Sequence, residues 1–163
     1  MITITFPDPE TEKRALGFLL GRFSGRVLKS GEHLVPEAAL EALADQNISF
    51  TVEGKSTYEQ QIAPIRDFLP LQFNDGREVP SEWLADAVLE IVENFGAASY
   101  ETQKVEGHWR HQSILYRDNL VKIVIDAPDE EVSRQWMRDY KARWKVKLKQ
   151  LELWLVSYTI DID

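Results

Sequence analysis

Residues 68–96 read FLPLQFNDGREVPSEWLADAVLEIVENFG, and this stretch decides the fold. Phe68 to Phe73 make a candidate strand, closed by Asn74, Asp75 and Gly76, a cluster that turns a chain. Pro80 or Ser81 then opens a helix. Leu84, Val88, Ile91, Val92 and Phe95 recur at helical intervals, and Gly96 stops the run. Two extended segments come next, from Ala97 to about His111 and from Ile114 to Ile125, the second ending in a β-branched run. Pro128 to Glu131 begin the longest helix, with carboxylates at its positive end. Along it Met137, Tyr140, Trp144, Leu148 and Leu151 form one apolar stripe. Leu151 to Ile162 is apolar on both faces, the pattern of a central or interfacial strand. Strand, helix, strand, strand, helix, strand predicts a ferredoxin-like βαββαβ module over residues 61–163, an antiparallel sheet with two helices on one face. Pro70 cannot donate to a ladder, so a bulge there, or a strand that starts after it, is expected.

Upstream, residues 1–60 read as a small α+β unit. Ile2 and Ile4 alternate with Thr3 and Thr5 as a strand. Thr11 is the candidate cap of a helix carrying Leu16, Phe18, Leu19, Leu20 and Phe23, with Gly25 as its stop. Gly17 and Gly21 lie four apart and would permit close packing. Arg26 to Val35 is extended around a turn at Ser30-Gly31, and Pro36 opens a second helix bearing Ala39, Leu40 and Leu43. Ile48 to Val52 alternates as a strand, and Gly54 to Gln61 reads as a polar linker. A unit this small buries little surface by itself, so it is expected to lean on the larger C-terminal module.

Composition narrows the function. The net charge of −8 disfavours bulk attraction to nucleic acid or anionic lipid. The absence of cysteine excludes disulfides, thiolate catalysis and Cys-based metal centres. The first residues lack a basic segment and a long apolar stretch, so no signal peptide and no membrane span are expected, and the reading is a soluble, cytoplasmic-type protein.

Several short motifs stand in order: Leu69-Pro70-Leu71, Asn74-Asp75-Gly76, Phe95-Gly96, Glu106-Gly107-His108-Trp109-Arg110 and Tyr116-Arg117-Asp118. From Phe68 onward the chain thereby resembles an uncharacterised family of small bacterial proteins with an LPL strand, a DG turn, an FGG, a G-W-R and a later D. Ala97 departs from that pattern, where a second glycine is usual. The resemblance implies a ferredoxin-like fold and brings no established activity.

One polar cluster can carry chemistry. His108, Arg110, His111, Arg117 and Asp118 gather on one hairpin beside Trp109 and Tyr116. Histidine exchanges protons near neutral pH and arginine binds carboxylate or phosphate bidentately. His108, Arg110 and Asp118 are therefore the catalytic candidates, and His108, Arg110, His111 and Arg117 the ligand-binding ones. The bland alternative is a solvated hairpin with Trp109 in the core and its charges paired. A metal held by His108 and His111 is disfavoured, because residues three apart on a strand point to opposite faces. No metal and no cofactor are expected. Arg134, Arg138, Lys141, Lys145 and Lys149 share a face of the long helix over residues 130–150 and could track a phosphate backbone. A solvated face opposite an apolar stripe explains them equally. A ribbon–helix–helix reading of the N-terminus lacks basic residues beside Thr3 and Thr5. No nucleophile elbow, phosphate loop or dinucleotide fingerprint occurs. The leading expectation is a non-enzymatic binding or regulatory module, acting as a homodimer or on a protein partner. The alternative is a small enzyme acting on an anionic small molecule at the His108–Asp118 hairpin. Third comes a nucleic-acid-binding accessory or antitoxin-like protein.

Overall fold

A computed structural model describes residues 1–55, 65–111, 114–127 and 130–157, with side chains for all of these except 65–66 and 102–118. Within them the chain forms β1 (Ile2–Thr5), α1 (Pro9–Leu19), β2 (Gly25–Leu28), β3 (His33–Val35), α2 (Ala38–Asp45) and β4 (Thr51–Lys55). Then come β5 (Ile65–Pro70), α3 (Ser81–Phe95), β6 (Ala97–His111), β7 (Ile114–Ile125), α4 (Glu131–Lys147) and β8 (Trp154–Ser157). The architecture is mixed α+β, with four helices and one eight-stranded antiparallel sheet ordered β4-β1-β3-β2-β6-β7-β5-β8. Numbered within its own half, each set of four strands runs fourth, first, third, second. The two halves meet through β2 and β6.

Alternation builds the core. Ile4, Val27, Ala98, Tyr100, Ile123 and Leu69 occupy one side of the sheet and are buried. Leu16 and Leu19 of α1, Leu43 of α2, Val88 and Ile91 of α3, and Tyr140 and Trp144 of α4 join them in a single cluster. The helices thus lie on one side, and the N-terminal unit lengthens the sheet instead of covering its second face.

Local chemistry explains where elements start and stop, and corrects several expectations. Asp8, not Thr11, caps α1: its carboxylate accepts from the Thr11 amide and the Thr11 hydroxyl, both at 2.8 Å. Those bonds hold the Asp8 carboxyl below the usual range. Asp8→Ala is expected to lower the melting temperature by roughly 3 °C while Asp8→Asn changes it little, read by thermal denaturation. Gly25 opens β2 instead of ending α1, which stops at Leu19. Gly17 does serve close packing, since a Cβ there would sit 2.8 Å from the Ser81 carbonyl oxygen of α3. Gly21 lies beyond the helix at φ +76°. The strand expected at Ile48 starts at Thr51. β5 neither bulges at Pro70 nor starts after it. It starts at Ile65 and ends on Pro70, where a missing amide proton costs least. Most of the linker read at 54–61 lies outside the described residues; Gly54 and Lys55 belong to β4.

α3 ends as its sequence demands: Gly96 takes the left-handed conformation at φ +88° and its amide donates to the Val92 carbonyl. On α4, Met137, Tyr140, Trp144 and Leu148 are buried, whereas Leu151 is exposed. α4 seats on α3 through Tyr140, whose hydroxyl donates to the Ala87 carbonyl at 3.3 Å, and through Trp144, whose indole N–H donates to Glu90 at 2.8 Å. β8 is the outermost strand beside β5, not a central one.

Candidate functional site

The pleat sorts the sheet into two faces. In β5, Asp67 and Leu69 point at the helices and Phe68 points away. On the helix-free side Phe68 lies opposite Trp154 of β8, which is 54% exposed, and Val156 two residues on is 43% exposed. Across the other edge of β5, Phe68 stands opposite Lys122 and Pro70 opposite Leu120. Toward β4 the same face turns polar and its charges are paired. Lys122 contacts Glu101 at 2.6 Å, Arg26 contacts Asp126 at 3.6 Å, and Thr5 donates to Glu53 at 2.9 Å. The apolar part of the helix-free face is therefore the corner around Trp154.

From this corner the β6–β7 hairpin reaches outward. β6 pairs with β2 only over Ala97–Tyr100, and β7 pairs with β5 only over Leu120–Ile125. Between Glu106↔Asn119 and His111↔Ile114 the two strands pair with each other through six rungs and, among the described residues, with no third strand. The register sets His108 opposite Arg117, Arg110 opposite Leu115, His111 opposite Ile114 and Asp118 opposite Gly107. By alternation His108, Arg110 and Arg117 hold positions of one face, while Asp118 and His111 fall in the other set, with Trp109 and Tyr116. The side chains of these candidate residues lie outside the described part of the structure.

The basic run of α4 is described and is largely occupied. Glu131 binds Arg138 and lies 3.9 Å from Arg134, and Glu152 binds Lys141 at 2.6 Å and Lys145 at 3.5 Å. The carboxyls of Glu131 and Glu152 are held below their usual range by Arg138 and Lys141, respectively. Arg143 pairs with Glu90, and Lys147 lies 3.8 Å from Asp86. A helix whose cations already face carboxylates presents a weak field to phosphate.

Three features escaped the sequence. A cleft of about 530 Å³ between α1 and the turn before α3 is bordered by Arg14, Arg22 and Glu78. Arg14 donates to the Asn47 carbonyl at 3.0 Å and Arg22 to the Phe18 carbonyl at 2.8 Å, so both are engaged in holding loops. His33 is wholly buried in β3, its Nε2 2.8 Å from Glu12 and its ring edge-on to Phe6. Asp67 is 2% exposed beneath α4, with its Oδ2 lacking a hydrogen-bond partner among the described residues. Burial pushes its carboxyl up to about 7 against the opposing pull of the Tyr140 hydroxyl, the Phe68 amide and Lys141. Alternation of Ile65, Asp67 and Leu69 was the signal that places Asp67 inward, and it is lost when the strand is started at Phe68.

Among the described residues no three metal-binding side chains converge, and no helix is long and apolar enough to cross a membrane. No protein-family model, no curated protein and no solved structure matches the chain, so the resemblance read from Phe68 onward rests on its motifs alone.

Proposed function

We propose that the chain is a non-enzymatic binding module that acts by pairing with a second copy of itself through the helix-free face of its sheet. The observation that carries this is the one-sided architecture: all four helices share one core, while Trp154 and Val156 stay exposed beside Phe68 on the other side. A sheet gains most when both faces are covered, and a two-fold pair with matching patches is the commonest way to cover the second. We read each half as a ferredoxin-like βαββαβ module, since strand, helix, strand, strand, helix, strand recurs in both with the strands in the order 4-1-3-2. On this reading the two modules are fused through their second strands into one broad platform.

Multi-angle light scattering from about 1 to 100 µM tests the pairing, in the range where standard-sized interfaces hold. The expected mass is twice that of the chain, falling toward the single-chain mass only on dilution. The mass of one chain at every concentration overturns the proposal.

A further inference from the structure

We infer that the β6–β7 arm is the clasp of this dimer, each copy laying its arm along the helix-free face of the other. The inference rests on the self-association proposed above and names the surface that performs it. An isolated two-stranded ribbon in water is marginal and needs a partner surface. Here six rungs stand beyond the third strand on either side, a length of ~20 Å. The register divides the arm by chemistry. Val105, Trp109, Tyr116 and Ile114 occupy the set that includes Leu120, together with Gly107, Asp118 and His111, and Leu120 stands opposite Pro70 on the face shared with Phe68. Lys104, Glu106, His108, Arg110, Arg117 and Asn119 occupy the other set, with Leu115 its one apolar member on the arm. The apolar positions of the arm thus prolong the band that starts at Trp154 and Val156 on the body.

A second copy of the chain fits this surface in continuity, area and charge. The band continues from body to arm, interrupted at the Gly107↔Asp118 rung, so one surface is both donor and acceptor, which a two-fold interface requires. Area is sufficient once the body is included: one face of such a ribbon is ~200 Å², so two arms and the two surfaces they cover remove ~800 Å² from water, and the exposed Trp154 corner of each copy raises this to ~1,000 Å², the lower bound for a specific interface. Charge is compatible: residues 106–119 hold two cations and two carboxylates in a chain of net charge −8. The arm is therefore a part of the chain that can approach a second copy without like-charge repulsion. The cross-strand pair Trp109↔Tyr116 is the expected anchor, as aromatic residues carry most of the affinity in interfaces of this size.

The test compares three full chains by light scattering and sedimentation: wild type, Trp109→Glu combined with Tyr116→Glu, and a variant with residues 106–119 replaced by a four-residue turn. Far-UV circular dichroism and the melting temperature at low concentration check that each body stays folded. Both variants are expected to dissociate at least ~100-fold more readily than wild type. A wild-type dimer that survives both changes within threefold overturns the clasp and leaves the self-association standing. A wild-type monomer overturns both. A wild-type monomer whose arm is required to shift a duplex oligonucleotide likewise overturns it, assigning the arm to nucleic acid. Should the turn variant fail to fold, the double substitution alone decides.

Discussion

Replacing Asp67 by asparagine is expected to stabilise the protein at pH 8 and to destabilise it at pH 4, a swing of roughly 4 kcal/mol. The sign comes from where the proton sits. In the unfolded chain the carboxyl ionises at its ordinary value near 3.8, and in the folded chain burial lifts it to about 7. Between those values the unfolded state has released a proton that the native state still holds. Each step up in pH therefore favours unfolding. Below about 4 the contribution is fully present; above about 7 it is fully lost, and the native state carries an ionised carboxylate with one oxygen unpartnered among the described residues. The difference between the two ionisation values corresponds to on the order of 4 kcal/mol. An amide cannot ionise and escapes this loss. It does place an N–H₂ where Oδ2 had no partner, a pH-independent penalty of about 1–3 kcal/mol. Wild type and Asp67→Asn share every other titrating group, so the difference between their urea-unfolding free energies from pH 4 to pH 9 isolates this one. Two curves that run parallel within about 1 kcal/mol would sink the assignment.

The same side chain shows what sequence could and could not deliver. Helix α3 was legible because its apolar spacing and its terminal glycine agree, and the buried stripe of α4 was legible down to Leu148. Leu151 escaped because Lys149 turns the chain at φ +51° just past the helix, which carries position 151 out of the stripe. The cap of α1 was misread by three residues, since Thr11 is itself a member of the cap, as donor to Asp8 and not as acceptor. The first half resisted more. Its strands are three to five residues long, too short for alternation to outweigh noise. The matching strand order of the two halves is a property of long-range pairing, which no local pattern encodes. The hairpin cluster was legible as a group of residue types. Its division into faces needed the register, which sets Arg117, not Asp118, across from His108.

Gly25→Ala is expected to cost roughly 3 kcal/mol and to lower the melting temperature by about 6–12 °C, the larger burden falling on the seam between the halves. Gly25 opens β2 and pairs with Tyr100 of β6, the first rung of the ladder that joins them. A methyl group at position 25 would lie 2.4 Å from the Tyr100 hydroxyl oxygen, 2.6 Å from the adjacent ring carbon and 2.9 Å from the Leu34 carbonyl oxygen. None of these yields readily. The Leu34 oxygen is backbone of β3, and the Tyr100 ring is 1% exposed, packed between sheet and helices. Its hydroxyl finds no partner among the described residues, and burial drives the phenol well above its ordinary ionisation range. The ring therefore stands there for its volume, filling the place that a side chain at 25 would occupy. That assigns the two shortest contacts to the Tyr100 side chain and makes their share of the cost separable from that of the Leu34 oxygen. Tyr100→Phe removes the nearest atom and leaves the ring carbon, so it rescues Gly25→Ala only in part. Tyr100→Leu removes both, and the double variant is expected to cost at least about 1 kcal/mol less than the two single changes added together. Chemical denaturation of the four proteins measures this coupling. Loosening the seam should also broaden the unfolding transition or split it in two, as each half begins to melt on its own core. A Gly25→Ala protein within about 0.5 kcal/mol of wild type, or strict additivity with Tyr100→Leu, would mean that the seam gives way to the methyl group and that the ring does not hold the halves in register.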